Sequence, residues 1–185
     1  MMIRTFIAIK IPEQELLIIR HIQNALKKAG GDVKWVNPEK MHLTLKFLGD
    51  TDSGLIGKVT QAVQNALKSE TAFDVSIRGF GGFPDIKRPR VLWLGIDKGR
   101  DALARIAGSI DRELEMAGFT KEKRPFSPHL TLGRVRSLKN IDKIADLLRE
   151  AEPETGIFCV KHIDIMKSDL KPTGSVYTVL DNILI

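Results

Sequence analysis

Apolar positions along the chain switch repeatedly between a period of two and the 3.6-residue period of a helix. Residues 5–11 are rich in β-formers and predict a strand. Pro12 suits a first helical turn. Leu16, Ile19, Ile22 and Leu26 follow on one helical face, and Gly30 and Gly31 stop that helix. A short extended piece at 33–36 ends at Asn37 and Pro38, and a second strand is predicted over 41–48. Ile56, Val59, Val63 and Leu67 mark another helix. Phe73, Val75 and Ile77 alternate as a strand leading into the glycine-rich run 79–84, read as a bulged hairpin end, and the short apolar run 91–96 reads as a buried strand.

The second half continues alike. Leu103, Ile106, Ile110 and Leu114 define a helix closed by Gly118, and Pro125 and Pro128 frame a strand over 130–135. Ile141, Ile144, Leu147 and Leu148 define a fourth helix. Two strands, 158–166 and 176–184, end the series, joined by a turn at 170–174 that carries Pro172. Single helices separate some strands while other strands are adjacent, a mixed α+β pattern rather than a doubly wound parallel sheet. No linker or low-complexity segment interrupts it, so residues 1–185 read as one domain. The polar, basic loop 85–90 is the best candidate for a hinge between halves, although a plain hairpin loop has the same composition.

Composition narrows the class. With 43% hydrophobic residues the chain is not disordered, and its longest purely aliphatic run, Leu16 to Ile19, is far too short to cross a membrane. The first residues lack the cleavage site of a signal peptide, and the lone Cys159 cannot form an internal disulfide, so a reducing cytoplasm is expected. A net charge of +6 favours anionic partners without specifying them. Two Trp, one Tyr and eight Phe are too few for a single-strand binder built on many stacking platforms.

One tetrapeptide occurs twice. His42-Leu43-Thr44-Leu45 and His129-Leu130-Thr131-Leu132 stand 87 residues apart, close to half the chain. In a strand alternate side chains share a face, so each His–Thr pair points away from its leucines. One such tetrapeptide is ordinary in a β-rich protein; two, half a chain apart, demand duplicated structure that keeps a polar pair. Histidine titrates near neutrality, so one ring can accept a proton while the other donates one. A threonine hydroxyl can donate to an anionic oxygen. Two such pairs describe a phosphodiester site: one His activates water, the other protonates the departing sugar oxygen, and the threonines hold the non-bridging oxygens. No metal is needed. No zinc-binding spacing, paired cysteines or carboxylate cluster accompanies the motifs, and the run 79–82 has neither a dinucleotide fingerprint nor a P-loop.

With these motifs the sequence resembles the RNA 2′,3′-cyclic phosphodiesterases of the 2H phosphoesterases, also called 2′-5′ RNA ligases. The flanks match as well: residues 4–8, Trp35 and Val36, residues 46–49, residues 89–93, Phe126-Ser127-Pro128, Gly133-Arg134, and Ser168, Leu170, Gly174 and Tyr177. The resemblance implies a bilobal pseudo-twofold fold, with antiparallel sheets lining a central cleft and helices outside. It implies hydrolysis of 2′,3′-cyclic phosphate RNA ends or cyclic nucleotides to 2′-phosphates without a cofactor, by a chain acting as a monomer away from membranes. By family assignment His42 is the proton donor and His129 the acceptor, while Thr44 and Thr131 contact phosphate. The two motifs themselves are identical and do not distinguish these roles. Arg134 joins the phosphate site if a bulge at Gly133 re-aims it, since alternation alone places it off the His–Thr face. Phe47 is a candidate to stack on a base or to sit in the core. His21 and His162 read as surface or packed rings, and Lys121, Lys123 and Arg124 as solvated charge. A non-catalytic module that binds nucleotides or RNA ends is the alternative, and RNA joining is the same chemistry reversed.

Overall fold

A computed structural model of the chain describes residues 1–172 and 174–185; Thr173, inside the expected 170–174 turn, lies outside the described residues. The elements are β1 (Met2–Lys10), α1 (Glu13–Lys27), β2 (Val33–Trp35), β3 (His42–Asp52), α2 (Ile56–Leu67), β4 (Phe73–Phe83), β5 (Val91–Ile96), α3 (Arg100–Met116), β6 (His129–Val135), α4 (Ile141–Ala151), β7 (Glu154–Val160), β8 (His162–Lys171) and β9 (Gly174–Leu184). The strands form two antiparallel sheets, ordered β3-β1-β8-β9 and β2-β6-β5-β4-β7.

The two orders correspond. Each motif strand, β3 or β6, lies beside a strand from earlier in the chain, β1 or β5, and two more strands complete each series; β2 is an addition outside β6. The lobes interlock instead of following sequence halves. β2 pairs with β6, and the C-terminal β8 and β9 finish the sheet begun by β1 and β3. The helices are shared in the same way: α1 lies against α4 and β7, and α3 against α2 and β3. The apolar faces expected of these helices are buried, including Leu16, Ile19, Leu26, Val59, Val63, Leu103, Ile106, Ile110, Ile144 and Leu148. The motif leucines Leu43, Leu45, Leu130 and Leu132 are buried too. Each contributes about 1.5–3 kcal/mol of hydrophobic stabilisation and fixes which face its strand turns outward.

Two expectations are corrected. Residues 158–166 are not one strand: β7 pairs with β4 in one sheet, β8 with β1 and β9 in the other, and the chain passes between lobes at Lys161. An unbroken run of β-formers hides that change of partner. The loop 85–90 is a hairpin connection between β4 and β5 within one sheet, not a hinge. The glycine run is a bulged hairpin end as expected: it closes β4 before the turn to β5, with a register shift between Ile77 and Phe80. Gly81 is required there because a Cβ would meet Trp93 Cζ2 at 2.2 Å.

Candidate active site

The two motif strands approach each other across the sheets, with Cα atoms within 8 Å. On β3, His42 and Thr44 are half-buried and turn away from the buried Leu43 and Leu45; on β6, His129 and Thr131 stand likewise against Leu130 and Leu132. The expected alternation therefore holds in both copies.

Just past each motif the alternation breaks in the same way. The β1–β3 register shifts between Thr44 and Lys46, and the β5–β6 register between Thr131 and Gly133. Each shift inserts one extra residue, Leu45 or Leu132, and the following residue is also buried. Such a bulge moves every later side chain to the opposite face. Phe47 and Arg134, themselves 87 residues apart, are consequently exposed on the side of the His–Thr pairs. The buried position differs between copies. On β3 it is Lys46, whose ammonium pairs with Asp111 of α3 and donates to the Thr120 carbonyl at 2.9 Å. On β6 it is Gly133, where a Cβ would meet Val33 Cγ1 at 2.6 Å, so the glycine lets β2 dock.

Both imidazoles are oriented by the same device. Nδ1 of His42 donates to the Lys40 carbonyl at 2.9 Å, and Nδ1 of His129 donates to the Ser127 carbonyl at 2.7 Å. A carbonyl only accepts, so Nδ1 carries a proton in each ring and Nε2 is the atom left for proton exchange. Aromatic rings wall both histidines. Phe6 lies 4.7 Å from the His42 ring and Tyr177 stands edge-on at 5.1 Å. Phe83 stands edge-on to His129 at 4.9 Å, with Trp93 at 6.4 Å. Phe6 and Trp93 are again 87 residues apart, a spacing from which they could have been read as site residues beside the motifs. Phe83, Lys40 and Ser127 carry no comparable signal.

The surroundings differ in one respect. Lys40 Nζ donates to the Ser175 carbonyl at 2.7 Å and thereby ties the segment ahead of β3 to β9, which carries Tyr177. Burial pushes the His42 imidazole below its ordinary value of 6.5, and the hydrogen bond to Lys40 offsets this only in part. Phe47 is 61% exposed, and its ring lies 5.9 Å from Phe6 at the margin of this wall. Of the groups set aside, Lys121 pairs with Glu115, and His21 and His162 are exposed. Among the described residues no three His, Cys, Asp or Glu are grouped to hold a metal ion, and no helix is long and apolar enough to cross a membrane.

Two interlocked antiparallel sheets, each presenting one outward His–Thr pair, define the bilobal 2H phosphoesterase class. Residues 12–172 match the model of the 2′-5′ RNA ligase superfamily, and the chain belongs to that family. It is 37% identical over 182 residues to an RNA 2′,3′-cyclic phosphodiesterase of Methanothermobacter thermautotrophicus, covering 98% of each chain. It is 35% identical over 177 residues to one from Thermotoga maritima, covering 96% of this chain and 92% of that one. Among solved structures, TT0787 of Thermus thermophilus superimposes with a TM-score of 0.80 at 25% identity, covering 98% of this chain and 97% of the other. The fold of Escherichia coli LigT complexed with 3′-AMP is also similar, with a TM-score of 0.78 at 22% identity, over 100% and 99% of the two chains.

Proposed function

We propose that this protein is an RNA 2′,3′-cyclic phosphodiesterase that opens the cyclic phosphate at an RNA end to a 2′-phosphate by two-histidine acid–base catalysis. The observation that carries the reading is the matched Nδ1–H···O=C bond in both motifs, which leaves two Nε2 atoms, one from each lobe, as the exchangeable proton sites. His129 accepts a proton from water through Nε2 as the water oxygen attacks phosphorus. The P–O3′ bond breaks, and His42 Nε2–H donates its proton to the departing O3′. Water has then been added across one ester bond, and each ring holds the proton state the other began with. Each proton transfer is worth on the order of 10²–10⁴ in rate. Burial lowers the basicity of His42 and by itself disfavours the protonated ring that a donor needs. The anionic substrate counters that lowering and favours the cationic ring on binding.

Thr44, Thr131 and Arg134 hold the non-bridging oxygens and stabilise the charge that grows on them, and Phe47 offers a ring to the terminal base. Both histidines belong to one chain, so residues 1–185 act as a single catalytic unit of two lobes, without a second copy. A cytoplasmic setting suits an enzyme with a lone, exposed Cys159. The reverse reaction, 2′-5′ joining of RNA ends, passes through the same transition state. Incubation with 2′,3′-cyclic mononucleotides and a short cyclic-ended RNA, in the presence of chelator, tests the reading. The expected product is the 2′-phosphate. Binding of nucleotides without turnover, or formation of 3′-phosphates, contradicts it.

A further inference from the structure

Like charges placed directly opposite on neighbouring strands cost stability. The outer end of the second sheet nevertheless has such an arrangement. Lys34 on β2 lies opposite Arg134 on β6. The ladder continues, with the Arg136 amide donating to the Asp32 carbonyl at 2.9 Å, so Arg136 stands diagonal to Lys34. Their intervening neighbours, Val33, Gly133 and Val135, turn toward the core. Lys34, Arg134 and Arg136 are therefore exposed on one face. Among the described residues no ion pair within 4.0 Å involves any of the three, and the one carboxylate in register, Asp32 opposite Arg136, is not in ionic contact with it.

That face is continuous with the catalytic one. Arg134 is in register with Val91 on β5, and Val91 with Phe83 on β4, whose ring abuts His129. Because Leu132 is the extra residue of a bulge, the level of Thr131 and that of Lys34 are only two residues apart on the partner strand, from Trp93 to Val91, or about 7 Å at ~3.4 Å per residue. At the same end the β4–β5 loop adds exposed Lys87 and Arg88, and their backbone amides donate to Asp85 Oδ1 in that loop.

We propose that Lys34 and Arg136 form a second anion subsite, which holds the first internucleotide phosphate upstream of the cyclic end. This rests on the phosphodiesterase reading above and extends it: the preferred substrate is an RNA chain, not a free cyclic nucleotide. A mononucleotide ends before the subsite and gains nothing from it. A chain places a phosphate between the two cations, relieves their repulsion with Arg134, and releases counterions as it binds.

The test compares kcat/KM for a cyclic-ended pentaribonucleotide and a 2′,3′-cyclic mononucleotide, in wild type, in K34A/R136A and in K34R. In the double variant the oligonucleotide-to-mononucleotide ratio falls at least tenfold. The log–log salt dependence for the oligonucleotide becomes shallower by about 0.7, the value for one single-strand phosphate contact. K34R keeps the wild-type ratio. A ratio changed by less than twofold, or an equal loss on both substrates, overturns the subsite and leaves the catalytic reading intact. If wild type turns over neither substrate, the catalytic reading fails separately. Binding of a 2′-phosphate-ended pentaribonucleotide then decides the subsite: weakening of at least tenfold in K34A/R136A supports it, and unchanged affinity overturns it.

Discussion

His42 and His129 share a sequence context and a carbonyl tether, yet they are enclosed differently, and that difference has measurable consequences. Burial lowers the His42 pKa, so its NMR titration midpoint lies below 6.5. Between that midpoint and 6.5 the unfolded chain binds more protons than the folded one. Stability rises with pH across this interval: His42's contribution is complete above about 6.5 and is lost as pH falls through the folded midpoint. Single variants separate the kinetic roles. In H129A the residual kcat/KM depends on His42 alone and falls as pH rises, because the acid must be protonated. In H42A the residual activity rises with pH. The opposite pair of slopes exchanges acid and base. The motif residues were legible in the sequence because duplication at 87 residues made them stand out, whereas their distinct surroundings come from rings on other strands.

At the scale of elements, strand periodicity located β3 and β6 but not what happens inside them. Period-two alternation places Phe47 and Arg134 on the wrong face, and only the extra residues Leu45 and Leu132 turn them back. A bulge is set by how the partner strand registers, so a single strand's sequence does not reveal it. For the same reason, residues 158–166 read as one strand although they serve two sheets. Lys40 joins two elements that local sequence cannot relate, β3 and β9. Replacing it with Met removes that tie to the Tyr177-bearing strand, raises the His42 titration midpoint toward 6.5 and lowers kcat by about tenfold, within the range that small misplacements produce. K40R retains the donor and restores both values. A K40M midpoint identical to wild type contradicts the tether.

Across the whole molecule, Lys46 links the first motif strand to the approach to the second. Its ammonium is almost fully buried against Asp111, and Asp111 also accepts from the Glu122 amide at 3.0 Å in the segment leading to β6. Burial opposes ionisation of Asp111, but the hydrogen bonds from Lys46 and Glu122 outweigh it and hold its carboxyl below the usual carboxylate range. Replacing Asp111 with Asn leaves a buried ammonium without its counter-ion and costs about 3–5 kcal/mol. At ~2–4 °C per kcal/mol for a chain of this size, Tm falls by roughly 6–20 °C. A double K46M/D111L variant loses less; an equal or larger loss contradicts the pair's assigned role. The mixed α+β class and the likeness to 2H phosphoesterases were legible from element order and the repeated motif, while the exchange of strands and helices between lobes depends on long-range pairing. The central claim is that one imidazole from each lobe acts on a single phosphodiester. Turnover of a 2′,3′-cyclic mononucleotide, measured in chelator with folded H42A and H129A beside wild type, tests it most directly: each variant should lose at least about a hundredfold, and near-normal turnover in either would contradict it.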